Sequence, residues 1–218
     1  MKAMILAAGR GERMRPLTDS TPKPLLEVQG KPLIEYHLQA LSRAGINEVV
    51  INLNWLGQQI REKLGKGSQF DLDIEYSEEE QALETAGGIL QALPRLGDQF
   101  IVVNADIFTD YDFTQLAEVD SLAHLVLAPN PAQHPRGDFS LENSVVGNLG
   151  ETLYTFTGIA RYQCDFFEGM TSGKRALAPD LRKAADLKQV SGELYSGRWY
   201  DIGTLDRLQH LRQAPGES

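Results

Sequence analysis

Cations and glycines crowd the turn Gly9-Arg-Gly-Glu-Arg-Met-Arg15, which leaves directly from an apolar run at residues 2–8. Lys23 follows shortly after, within Thr21-Pro-Lys-Pro-Leu-Leu26. Arg10, Arg13 and Arg15 fall within six residues, so they repel one another unless anions are near. Gly9 and Gly11 leave backbone N–H groups unobstructed, and Pro16 prevents a regular helix from absorbing the arginines. Open N–H groups and several positive charges around one small volume suit a polyphosphate. The loop is not a Walker A, because no Gly-Lys-Ser/Thr follows. Met14 stands where a dinucleotide fingerprint would place its third glycine, which argues against a nicotinamide-dependent dehydrogenase. Arg13 and Lys23 are the cations singled out, and Ala8, Gly9, Gly11 and Asn104 the candidate contacts of the same ligand beside them.

Asp106 leaves a second apolar run, Phe100-Ile-Val-Val-Asn104. An acidic residue there is either a turn or N-cap aspartate or, beside a triphosphate loop, a Mg²⁺ ligand. Asp201, in Arg198-Trp-Tyr-Asp-Ile-Gly-Thr204, reads by itself as a helix-entry residue, since Thr204 is a plausible N-cap. In Glu84-Thr-Ala-Gly-Gly-Ile89, Thr85 can cap a helix while Gly87 lets backbone groups approach a flat ring. The acidic run Ser77-Glu-Glu-Glu80 is either a solvated loop or, through Glu80 or the following Gln81, a contributor to a ligand site. The four histidines show no metal spacing, and no hydrolytic triad is evident.

These residues must be positioned by alternating strands and helices. Strands are expected at 2–8, 48–53, 72–76, 100–104, 123–128, 155–162 and 190–195. Helices are expected from Lys31-Pro32 to Gly45, at 56–64, from Thr85 to residue 93, and at 112–119, 177–185 and 204–213. Residues 130–150 are rich in Pro, Gly, His and Asn, with strand fragments only at 139–141 and 145–146. This order predicts an α/β fold: a Rossmann-like, mostly parallel central sheet with helices on both faces and a smaller, irregular β-containing part. Ligands of such sheets sit at the carboxyl ends of the strands, where the loop after Ala8, the residues after Asn104 and the turn before Thr85 all fall.

The 218 residues suit a single domain whose strand–helix rhythm changes after residue 128. A net charge of −9 argues against nucleic acid or an anionic membrane as partner. A lone cysteine, Cys164, and the absence of a long apolar run lead us to expect a cytoplasmic protein, monomer or homodimer.

The pattern G-x-G-x-R-M-x-P-L-T followed by P-K-P-L-L closely resembles the sugar-nucleotide pyrophosphorylases, nucleotidyltransferases that act on sugar 1-phosphates. The resemblance runs through Asp106 and resumes at Trp199–Thr204, covering nearly the whole chain. It implies a nucleoside triphosphate and a sugar 1-phosphate as substrates and Mg²⁺ as cofactor, with 1–128 as the nucleotide-binding part and 129–218 as the sugar-binding part. Arg13 would face the triphosphate and Lys23 the phosphate at the reacting centre. Asp106 and Asp201 would be the metal ligands, although Ala105 stands where relatives usually carry glycine. The segment at Thr85 and Gly87 would cradle the nucleobase. Gly137 and Gly158 would face the sugar, with Glu151 and Asn143 as hydrogen-bond acceptors for its hydroxyls. The chain lacks a Glu-Lys-Pro segment found in many relatives, and Lys174 or Arg136 are the candidates to replace its lysine. The chain looks most like small bacterial uridylyltransferases that recycle cell-wall sugar, implying UTP and N-acetylmuramic acid α-1-phosphate, whose carboxylate Arg136, Lys174 or Arg198 could balance. A mannose-1-phosphate guanylyltransferase is the alternative within the family. A non-catalytic nucleotide-sugar-binding regulatory subunit is the alternative outside it, and retention of Arg13, Lys23, Asp106 and Asp201 speaks against that.

Overall fold

Apolar strands buried on both faces build one nine-stranded sheet, with amphipathic helices packed on either side. The computed structural model describes residues 1–116 and 121–213. In chain order the strands are β1 (Lys2–Leu6), β2 (Glu27–Val28), β3 (Lys31–Pro32), β4 (Glu48–Leu53), β5 (Asp73–Glu78), β6 (Gln99–Asn104), β7 (Ile107–Thr109) and β8 (Ala123–Ala128), then β9 (Ser140–Glu142), β10 (Val145–Gly147), β11 (Thr155–Gln163), β12 (Val190–Leu194) and β13 (Trp199–Asp201). The helices are α1 (Leu17–Ser20), α2 (Leu33–Arg43), α3 (Gly57–Leu64), α4 (Glu84–Ala92), α5 (Ala178–Asp186) and α6 (Leu205–Gln213).

The sheet order is β5-β4-β1-β6-β11-β8-β12-β10-β9. The half from β5 to β6 is wholly parallel, as the βαβ order requires, and β12 runs parallel to β8. β11 lies antiparallel between β6 and β8, so the second part of the chain enters the same sheet. Two small antiparallel ribbons, β7–β13 and β2–β3, stand apart from it.

Alternation within β1 explains its uninterrupted apolar sequence. Ala3 and Ile5 pack with Ile34 and Leu38 of α2 and Ile60 of α3, while Met4 packs with Ala86 and Ile89 of α4 on the other face. A third, smaller cluster joins Met14, Leu33, Phe108 and Ile202 to Leu208 and Leu211 of α6. It ties the N-terminal loop to the far end of the chain. Fully burying Met14, which is 0% exposed, contributes about 1.5–3 kcal/mol to that attachment.

The structure departs from the sequence expectation in several places, among them Lys31–Pro32, which forms β3 ahead of α2 rather than its first turn, and Thr85, which lies inside α4 rather than capping it. A single helical turn, α1, begins directly after Pro16, which occupies its N-cap. The helix expected at 112–119 is a 3-10 turn at Phe113–Leu116, and residues 117–119 lie outside the described ones. The ribbon of β7 with β13 has no counterpart in the sequence reading. Among the described residues, no helix is long and apolar enough to cross a membrane.

Candidate active site

Leu6 of β1 pairs with Asn52 of β4 on one side and Asn104 of β6 on the other. The carboxyl ends of three parallel strands therefore stand side by side, and a cavity of about 470 Å³ opens above them. Ala8, Gly9, Gly11, Arg13, Lys23, Thr85, Asn104 and Asp106 all line it.

The loop after β1 is held from below and open above. Ala7 N–H donates to Asn52 Oδ1 at 2.7 Å, whereas the N–H groups of Gly9, Arg10, Gly11 and Glu12 have no acceptor among the described residues. Gly11 adopts φ +68°, and a Cβ there would stand 3.0 Å from Thr18 Cγ2, so the turn requires glycine. Thr18 Oγ1 donates to the Gly11 carbonyl at 2.9 Å and fixes it. Such a row of unsatisfied N–H groups is an anion-binding concavity.

The three arginines have different fates. Arg10 lies over the Trp55 ring, 4.3 Å from its centroid, and Arg15 Nε stands 2.8 Å from Asp19 Oδ1. Those two are engaged by the protein, Arg15 by a carboxylate and Arg10 by an aromatic face, which leaves Arg13 for a ligand. Arg13 has no ion-pair partner among the described residues; it lines the cavity and brings Nη2 beside Gly203, where a Cβ would meet it at 3.2 Å.

The two aspartates converge through the unanticipated ribbon. Asp201 of β13 pairs with Ile107 of β7, and Ile202 N–H donates to the Asp106 carbonyl at 3.0 Å. Both side chains line a second, smaller cavity of about 190 Å³, which shares Asn104 and Asp106 with the first. Each carboxylate faces a cation. Lys23 Nζ, on a nearly buried side chain, lies 2.6 Å from Asp106 Oδ2, and Arg207 Nη1 donates to Asp201 Oδ2. His37 supports this region from α2: its Nε2–H donates to the Ile107 carbonyl at 3.0 Å, and burial depresses its pKa to about 4, keeping the ring neutral. Among the described residues, no three His, Cys, Asp or Glu side chains gather as a ready-made metal cage.

At the other end of the larger cavity, Glu79 rather than Glu80 is the ordered acid. It is 5% exposed and accepts from Asn52 Nδ2 at 2.7 Å and from Leu83 N–H at 3.0 Å. Asn52 and Glu79 were not singled out from sequence; an asparagine near the end of an apolar strand is the signal that could have found the first. Gly88 is the glycine that makes room here, since a Cβ would stand 2.6 Å from Glu79 Oε1. Gly87 does not line the cavity. Its N–H donates to the Arg175 carbonyl at 3.1 Å, and a Cβ would lie 2.2 Å from the Gly173 carbonyl, so it serves packing of the 173–175 segment.

The residues expected to face the sugar are placed less directly. Gly137, at φ +68°, closes a turn where a Cβ would lie 2.7 Å from the Leu153 backbone, and it does not line either cavity. Glu151 is exposed and also absent from both walls, and Asn143 is a hairpin-turn residue at φ +49°. Gly158, at φ +82° where β11 is irregular, acts through Asn104, because a Cβ would stand 2.5 Å from Asn104 Nδ2. Lys174 pairs with Glu84 at 3.5 Å, Arg198 with Asp110 at 3.3 Å, and Arg136 is exposed; none lines the smaller cavity. That wall carries Trp199, Phe156, Gln133 and His134 instead, with the indole held by donation to the Thr157 carbonyl at 2.9 Å.

Comparison with known proteins matches residues 2–125 to the nucleotidyl transferase family. The chain belongs to that family. It is 51% identical to N-acetylmuramate α-1-phosphate uridylyltransferase of Neisseria meningitidis, over 99% of both chains. It is 31% identical to mannose-1-phosphate guanylyltransferase of Mycobacterium tuberculosis, over 93% of this chain and 61% of that one. Among solved structures it shares its fold with a provisionally named glucose-1-phosphate thymidylyltransferase of Bacillus anthracis, at TM-score 0.84 and 22% identity, over 100% of this chain and 98% of that one. The open N–H row, Arg13 and Lys23 thus belong to a nucleotidyl transferase and lie on the carboxyl edge of its sheet.

Proposed function

We propose that the chain transfers a uridylyl group from UTP to N-acetylmuramate α-1-phosphate, giving UDP-N-acetylmuramate and pyrophosphate in cytoplasmic recycling of cell-wall sugar. The observation that carries this reading is the meeting of an open N–H row, Arg13, Lys23 and two aspartates where the two cavities join. The 51% identity to the Neisseria uridylyltransferase supports the choice of base and sugar.

A sugar-phosphate oxygen attacks the α-phosphorus, and the bond from that phosphorus to the bridging oxygen of the departing pyrophosphate breaks. The attacking monoester has a second pKa near 6 and is already ionised, so no general base is required. The protein must orient the reactants and compensate charge. Arg13 and the N–H groups from Gly9 to Glu12 hold the pyrophosphate portion, and Lys23 stabilises charge gathering on the α-phosphoryl oxygens. Thr85 and the Asn52–Glu79 pair bound the base, and the smaller cavity takes the sugar. Residues 1–128 thereby form the nucleotide side, while 129–218 supply the sugar side and the second carboxylate.

Asp106 and Asp201 are the residues that would hold Mg²⁺. Two carboxylates on the wall of one cavity fit an ion whose remaining ligands are phosphate oxygens and water. Bound there, the ion supplies further neutralisation of phosphate charge.

Pyrophosphate release, coupled to pyrophosphatase, tests the reading across four nucleoside triphosphates and a panel of sugar 1-phosphates. UTP with N-acetylmuramate α-1-phosphate is expected to give the highest kcat/KM. Preference for GTP with mannose 1-phosphate would replace this assignment with the guanylyltransferase, and silence from every pair would favour a nucleotide-sugar-binding regulatory subunit.

A further inference from the structure

We infer that His134 is a specificity-determining residue, selecting a sugar 1-phosphate that bears an additional carboxylate. The inference rests on the function proposed above and names the group in the smaller cavity that meets the acidic arm of muramic acid. That arm is a lactyl ether ending in a carboxylate. A cation beside that carboxylate favours the acidic sugar, and Lys23 and Arg207 are already engaged by Asp106 and Asp201.

His134 is the sole basic side chain on that wall among the described residues. Its position is built rather than incidental. Its Nε2 lies 3.0 Å from Asp138 Oδ1, and Asp138 Oδ2 accepts from Phe156 N–H at 2.8 Å, fastening the loop to β11. The backbone is fastened as well, by His134 N–H to the Pro131 carbonyl at 2.8 Å and by Asp138 N–H to the Tyr154 carbonyl at 2.8 Å. Gly137 permits the turn that lets Asp138 reach back toward the imidazole. The other ring nitrogen has no protein partner among the described residues. A ligand carboxylate that accepts from that nitrogen completes an aspartate–imidazolium–carboxylate chain. A neutral sugar leaves the position unused. Rejection of neutral sugars is therefore modest, and selection arises by gain of affinity for the acidic one.

The test compares N-acetylmuramate α-1-phosphate with N-acetylglucosamine α-1-phosphate, each with UTP, by pyrophosphate release. His134→Gln is expected to lower the ratio of the two kcat/KM values at least tenfold, while the value for the neutral sugar falls less than threefold. His134→Lys, which restores a cation, is expected to recover most of that ratio. Equal losses on both sugars, or an unchanged ratio in His134→Gln, overturn the inference and leave the transferase reading standing. Wild-type protein that uses the neutral sugar and ignores the acidic one overturns the inference and the choice of sugar, and retains nucleotidyl transfer. No pyrophosphate from either sugar in wild type overturns both.

Discussion

Lys23 sets its ammonium 2.6 Å from Asp106 Oδ2, joining the N-terminal loop to the exit of β6. The lysine side chain is 8% exposed and the aspartate side chain 36%, so the pair looks into the cavity from the aspartate side. An anion arriving there competes with Asp106 for the lysine, while a divalent cation competes with the lysine for Asp106. In the proposed reaction the pair would hold both groups near their working positions until substrate arrives.

Lys23→Ala is expected to reduce turnover by about 10²–10³, the usual cost of removing one preorganised donor to a developing oxyanion. Asp106 is partly exposed and becomes hydrated when the lysine is lost, so the fold should persist. Steady-state pyrophosphate release and circular dichroism check the two halves of the statement. Wild-type turnover in folded Lys23→Ala protein would remove the lysine from the reacting centre.

Glu79→Gln is expected to destabilise the protein by about 1–3 kcal/mol and to raise KM for the triphosphate. Both carboxylate oxygens accept from protein donors, Asn52 Nδ2 and Leu83 N–H, and a glutamine must turn its own NH₂ toward one of them. Asn52 Oδ1 in turn receives Ala7 N–H, so the disturbance reaches the base of the loop after β1. Urea unfolding and triphosphate saturation curves measure the two effects. A variant as stable and as readily saturated as wild type would show that Glu79 merely fills space.

His37 makes stability depend on acidity in a definite window. Its pKa is near 6.5 in an unfolded chain and is depressed to about 4 in the fold by burial. Above pH 6.5 both states are neutral at this residue and the full stability is present. As pH falls from 6.5 toward 4, the unfolded chain takes up a proton that the folded chain refuses, and stability drops by up to about 1.4 kcal/mol per pH unit. His37→Gln, which can still donate to the Ile107 carbonyl, should flatten that slope in urea unfolding at stepped pH. Identical slopes in variant and wild type would contradict the assignment.

The central strands were legible because burial on both faces imposes a continuous apolar run. β4 at Glu48–Leu53 and β8 at Ala123–Ala128 begin and end where the sequence places them. The ribbon of β7 with β13 was not legible. Each strand has three residues, their sequences carry no alternation, and the pairing joins Ile107 to Asp201 across most of the second half of the chain. That ribbon is what brings the two aspartates together, so their meeting could be anticipated only from the family resemblance. Glu79 was hidden for a related reason: inside Ser77-Glu-Glu-Glu80 it resembles its solvated neighbours, and only the position of Asn52 marks it as buried. Gly87, Gly137 and Gly158 show the converse. Each glycine near a ligand-like motif proved to make room for protein, namely the Gly173 carbonyl, the Leu153 backbone and Asn104.

The central claim is that Asp106 and Asp201 act as one unit on a shared divalent ion, and a double-mutant cycle tests it most directly. Pyrophosphate release from UTP and N-acetylmuramate α-1-phosphate would be followed over a Mg²⁺ titration for Asp106→Asn, Asp201→Asn and the double variant. Each single change is expected to cost at least about 10²-fold in turnover, and the double variant to be scarcely worse than either, because residues serving one centre are non-additive. Full activity with wild-type Mg²⁺ dependence in Asp201→Asn, or losses that simply multiply in the double variant, would contradict the account.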